Sequence, residues 1–138
     1  IEKDVMEDPL TKKIVKRLNG AYVIPVDHYK DVFNRPGQNY DLQRKQKSLI
    51  IARNTGRLIY DGAPVCQDFG MANFCYTNSV INCVFDCEYC FLKGMYDSAN
   101  IVVFVNIEDY KREIDMRLEE GPLYLCLSYD TDLAALNR

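Results

Sequence analysis

Apolar positions along the chain recur with two different spacings, and the changes of spacing mark the elements. Leu10, Ile14 and Leu18 fall four residues apart, which draws a stripe along one face of a helix. Asp8 is placed to cap that helix and Pro9 to open it, Lys16 and Arg17 fall in its last turn, and Asn19-Gly20 supplies the stop. A short strand is expected over residues 21–26, and residues 34–42, with Arg35-Pro36-Gly37 among them, read as loop. Residues 48–52 and 57–60 flank Asn54-Thr55-Gly56 and together predict a hairpin. Residues 74–81 and 101–105 predict strands. Asn106 with Asp109 makes a capping-box-like pair, opening a helix on which Ile107, Tyr110, Ile114 and Leu118 share a face and which Gly121-Pro122 ends. Residues 123–128 predict a buried strand, and Asp132 is placed to cap one more helix.

From Phe74 onward the order is strand, loop, strand, helix, strand, helix start, an α/β pattern with a parallel sheet in prospect. Asp61-Gly62-Ala63-Pro64 marks the expected boundary between an N-terminal helix and hairpin subdomain, residues 1–62, and a cysteine-rich half, residues 63–138. No internal repeat is visible. With 138 residues the chain has room for one core, and its 48% hydrophobic and 27% charged content excludes wholesale disorder and low-complexity structure. The longest apolar run, residues 101–105, is far short of the roughly 18–20 residues of a membrane span. The start at Ile1 with no leader pattern, and the end at Leu136-Asn137-Arg138 inside the first turn of a helix, suggest a fragment.

Charge divides unevenly. Residues 1–62 carry 12 Lys and Arg against 8 Asp and Glu, and residues 63–138 carry 5 against 12. A net charge of −3 argues against nucleic-acid binding by bulk charge. Lys12, Lys13, Lys16, Arg17, Arg44, Lys45 and Lys47 leave room for a local basic patch, although a solvated helix face is the simpler account of them.

Five of the six cysteines, Cys66, Cys75, Cys83, Cys87 and Cys90, crowd into residues 66–90, with Cys126 apart. Such clustering suits metal ligation in a reducing compartment better than a disulfide framework. Cys83, Cys87 and Cys90 form C-x3-C-x2-C, a spacing that lets one loop wrap a single thiolate-bound centre. Three thiolates on a four-iron cluster leave one iron open to another ligand, as a reactive site requires and a structural site avoids. A zinc site completed by Cys75, Cys66 or His28, and inert buried thiols, are the other readings of the same residues.

Tyr89, an aromatic residue just before the third cysteine, makes the loop resemble that of the radical S-adenosylmethionine (SAM) superfamily. A closer resemblance runs from about Tyr22 onward. Tyr29-Lys30-Asp31-Val32-Phe33-Asn34-Arg35, Cys90-Phe91-Leu92-Lys93-Gly94-Met95-Tyr96, residues 98–106 and Tyr129-Asp130-Thr131-Asp132-Leu133 look like the spore photoproduct lyase family. The resemblance implies a partial (β/α)6 radical SAM barrel preceded by an α+β subdomain, of which this chain holds the first βα units. It also implies a cytoplasmic enzyme with a [4Fe-4S] cluster and SAM, which it cleaves reductively to a 5′-deoxyadenosyl radical to repair a thymine dimer, the spore photoproduct, in DNA. Its partners would be DNA and a reductant such as a ferredoxin or flavodoxin, with no membrane.

Carried over residue by residue, the resemblance makes Cys83, Cys87 and Cys90 the cluster ligands and Tyr89 the neighbour of the SAM adenine. Thr131 and Asp132 fall where the SAM methionyl group binds, although Asp132 is also a helix cap. Two positions depart from the pattern. Tyr129 stands where the family has its hydrogen-donating cysteine, and Cys126, three residues earlier on the same strand, turns to the opposite face, which favours core packing for it. Phe91 stands where the family has a relay tyrosine and has no O–H hydrogen to transfer. Tyr129 and Cys126 are therefore the weak catalytic candidates. The open alternatives are a lyase-like enzyme with another substrate and a non-enzymatic zinc module, and the isolated chain is expected to be inactive.

Overall fold

The computed structural model of the chain describes residues 1–136, so Asn137 and Arg138 of the expected final turn lie outside the described residues. Helix α1 spans Pro9–Arg17. Asp8 caps it as expected, its Oδ1 accepting from the amides of Leu10 at 2.7 Å and Thr11 at 3.4 Å. Gly20, at φ 84°, follows it and turns the chain away. The strand expected over 21–26 does not form. Pro25 has no N–H to donate, and among the described residues the segment's β-pairing is limited to a single parallel bridge between Glu2 and Val26, with Tyr22 97% exposed. The stretch read as loop, 34–42, is loop as far as Asn39, where a short helix, α2, Tyr40–Lys45, begins, and Asn39 caps it by accepting from the Leu42 amide.

The expected hairpin is also absent. Strand β1, Leu49–Ala52, pairs in parallel with β5, Ile101–Phe104, while β2, Ile59–Asp61, goes to a different sheet. The reason lies in the residues of β1: three of its four side chains are buried, so both of its faces need cover, as in a parallel sheet rather than a two-stranded ribbon. Ile50 and Ala52 meet Phe33, Val102, Phe104 and Tyr110 on one face, and Ile51 meets Val5 and Val105, with Leu10 and Ile14 of α1 against them, on the other. Asn54, at the would-be turn, is held elsewhere. Its amide donates to Asn106 Oδ1 and its carbonyl accepts from Asn106 Nδ2, both at 3.0 Å.

The strand expected over 74–81 splits into β3, Phe74–Thr77, and β4, Val80–Ile81, and the chain changes sheet at Asn78-Ser79. The result is two three-stranded mixed sheets, β1-β5-β4 and β2-β3-β6, where β6 is Tyr124–Cys126. In the second sheet β2 runs antiparallel and β6 parallel to β3. Strand β6 is half-buried rather than buried, and shorter than expected. Helix α3, Ile107–Glu119, joins β5 to β6 and turns Tyr110 into the core. Asn106 precedes it but makes no side-chain cap bond to the helix amides. Its amide is spent on Asn54 and, through Nδ2, on Asp109 at 2.9 Å.

The described residues therefore form a mixed α/β structure in which no barrel closes. Because β5 and β6 lie in different sheets, β5-α3-β6 is not the βαβ unit of a single sheet that the sequence pattern implied. Both sheets also take strands from each side of residue 62. Among the described residues no helix is long and apolar enough to cross a membrane.

Candidate functional site

The cysteine loop begins where β4 ends. Asn82 takes a left-handed backbone, φ 65°, which asparagine tolerates better than most residues, and its buried amide donates to the carbonyls of Ser98 at 2.6 Å and Asn100 at 2.8 Å. This anchor fixes the direction in which Cys83 leaves the sheet. Lys47, just before β1, donates from Nζ to the carbonyls of Cys83 and Val84, each at 3.1 Å. Asp86 pairs with Lys93 at 3.0 Å and Arg44 at 2.8 Å, and the Lys93 and Arg44 cations hold its carboxyl below the usual range. The Cys90 amide then closes a turn on the Cys87 carbonyl at 3.1 Å before the 3-10 turn Phe91–Gly94.

Cys83, Cys87 and Cys90 are free, half-buried thiols. They line one pocket of about 240 Å³, together with Thr131 and Asp132, which arrive from the segment after β6. The Thr131 Oγ1 is buried with no hydrogen-bond partner among the described residues. Asp132 accepts from the amides of Ala134 at 3.0 Å and Ala135 at 3.4 Å, so it caps the turn Leu133–Leu136 while also lining the pocket.

The remaining sequence candidates lie elsewhere. Tyr89 is 94% exposed and is not part of the pocket lining. Tyr129 packs tilted on Tyr76 with ring centroids 4.8 Å apart, and its hydroxyl lies 3.8 Å from the Cys66 thiol, a contact that pushes its phenol up. Cys126 donates to its neighbour Ser128 at 3.2 Å and does not face the pocket. None of the three residues suggested as a fourth zinc ligand lines it either. Cys75 is buried against Arg117, at 3.2 Å, Cys66 meets Tyr129, and His28 caps the turn Tyr29–Asp31 by accepting from the Lys30 amide.

The donor set suits a soft metal or an iron–sulfur cluster, three thiols on one loop with none in a disulfide. Among the described residues, though, no group of three or more His, Cys, Asp or Glu side chains is arranged to hold a metal ion. The three thiols line one pocket without converging on a common point. Sequence reading missed Asn82 and placed Lys47 only in a basic patch, whereas both position the loop. An asparagine immediately before the first cysteine, at a strand end, was the available signal for Asn82; nothing local marked Lys47. No protein-family model, no curated protein and no solved structure matches the chain.

Proposed function

We propose that this chain carries the cluster-binding segment of a radical SAM enzyme resembling spore photoproduct lyase, with a barrel of that type and a thymine-dimer lesion in DNA, or another substrate, as its target. The observation that carries the reading is the shared pocket: Cys83, Cys87 and Cys90 line the same space as Asp132 and Thr131, whose buried hydroxyl has no partner among the described residues. The three thiolates would hold a [4Fe-4S] cluster, which with SAM supplies a reductively generated 5′-deoxyadenosyl radical. The Thr131 hydroxyl, buried and without a partner among the described residues, would satisfy its hydrogen bond on a polar group of the SAM methionyl end, and Asp132 would offer that group's ammonium a counter-charge. Phe85, Tyr89 and Phe91 are exposed around the loop and offer a surface to a ferredoxin or flavodoxin. Phe91 cannot relay hydrogen, and neither Tyr129 nor Cys126 lines the pocket, so hydrogen return to a substrate is not assigned to either.

Anaerobic reconstitution with iron and sulfide tests the reading. Four irons per chain are expected, with a reduced-state paramagnetic resonance spectrum that changes on adding SAM, and Cys87→Ala should lose the cluster. A chain that keeps zinc and takes up no cluster would overturn the assignment in favour of a structural zinc module. With the cluster established, thymine-dimer DNA is the first substrate to try.

A further inference from the structure

A second pocket, of about 550 Å³, shares no lining residue with the cysteine site and falls within the size range of small-ligand sites. Its walls are aromatic: Tyr29, Phe33, Tyr60 and Tyr96 line it. These rings are held in place. Tyr96 tilts against Phe33 with centroids 5.3 Å apart and donates its hydroxyl to the buried Asp130 carboxylate at 2.9 Å, while Tyr60 stacks on Tyr76 at 5.2 Å. Pre-set ring walls favour a flat ligand, because stacking then costs little side-chain entropy.

Two further features narrow the ligand. Asn78, at the point where the chain changes sheets, lines the pocket, and its side-chain carbonyl oxygen is buried with no hydrogen-bond partner among the described residues. A buried acceptor left unmet costs stability, and an N–H on the edge of a flat ligand removes that cost. Lys30 and Arg35, both exposed, line the same pocket and bring two positive charges to it. Lys30 Nζ stands 5.8 Å from the Tyr29 ring centre, so a cation flanks the aromatic wall itself.

We propose that this pocket binds a mononucleotide, the base lying among the tyrosines with an N–H toward Asn78 Oδ1 and the phosphate between Lys30 and Arg35. Flat ring, edge donor and anion are the three requirements of the lining, and a nucleotide meets them together. The proposal goes beyond the radical SAM reading and does not rest on it.

Calorimetric titration of the full 138-residue chain with uridine 5′-monophosphate tests it, with uridine and ribose 5-phosphate as controls. Uridine 5′-monophosphate should bind about tenfold or more tighter than either control. The double variant Lys30→Ala with Arg35→Ala, at exposed positions, should bring the nucleotide down to the affinity of uridine and leave uridine unchanged. Asn78→Leu should weaken uridine and its monophosphate alike by about tenfold. If that variant does not fold, the double variant decides. No heat with the monophosphate at millimolar concentration, equal binding of ribose 5-phosphate, or a double variant that binds as tightly as the parent chain would each overturn the proposal. Iron and SAM take no part in the titration, so a failure here leaves the cluster reading standing.

Discussion

Asp130 is only 1% exposed, yet a single hydrogen bond, from the Tyr96 hydroxyl, serves its carboxyl, and its Oδ1 has no partner among the described residues. Burial pushes its pKa up, and the Tyr96 bond only partly opposes that. The folded state therefore holds the Asp130 proton more tightly than the unfolded chain does. The stability this group contributes is full below the ordinary aspartate value and is lost as pH rises through the raised folded value. Asp130→Asn removes the ionisation. Its urea midpoint, followed between about pH 4 and pH 8, should lack the decline with rising pH that Asp130 adds to the parent chain. Parallel curves for the two proteins would show that the carboxyl titrates normally. Residues whose partners are close in sequence are legible from the chain alone, Asp8 and Pro9 among them, because a cap is closed by amides two and three positions on. Asn106 misleads for the opposite reason. Its side chain answers to Asn54, 52 residues away, and nothing local announces that.

At the level of elements, helix α1 followed from periodicity and its cap and helix α3 from periodicity, since helical hydrogen bonds are local. Strand partners did not follow. Asn54-Thr55-Gly56 carries real turn chemistry, but the two-faced burial of Leu49–Ala52 outweighs it and draws β1 to β5. The start of β3 shows how tightly the second sheet is joined. The Gly62 amide donates to the Phe74 carbonyl at 2.8 Å, and a Cβ built on Gly62 would overlap the Phe74 ring. Phe74 in turn packs on Tyr124 of β6, with centroids 5.3 Å apart, so the ring has little room to withdraw. Gly62→Ala should cost about 1–3 kcal/mol, read from urea unfolding, as overpacked sites do. Phe74→Leu in the same chain should recover part of the loss, and the double-mutant cycle measures how much of it is the clash. A Gly62→Ala chain as stable as the parent would mean that the ring moves freely.

Over the whole molecule, the cysteine spacing was readable at once, since all three thiols sit on one loop. The resemblance alone suggested Thr131 and Asp132, and only the fold brings that segment to the loop. What holds the loop in place comes from further afield still. Arg44 of α2 pairs with Asp86, and Lys47, at the approach to β1, grips the Cys83 and Val84 carbonyls. These contacts span 36 to 42 residues and tie the loop's first half to the basic N-terminal segment, so part of that basic stretch is a clamp rather than only a solvated face. Lys47→Met keeps the apolar stem and removes the ammonium. For the loop to take up the proposed cluster its thiols must first converge, so an unclamped loop would have more freedom to lose on closing, and the bound state should weaken. Groups that position metal ligands typically matter at the level of about tenfold or more in affinity. After reconstitution, Lys47→Met should surrender its metal to a chelator at about tenfold lower chelator concentration than the parent chain. Its urea midpoint should stay close to that of the parent, which separates a loosened loop from a loosened fold. Equal metal retention in the two chains would show that the loop closes without the clamp.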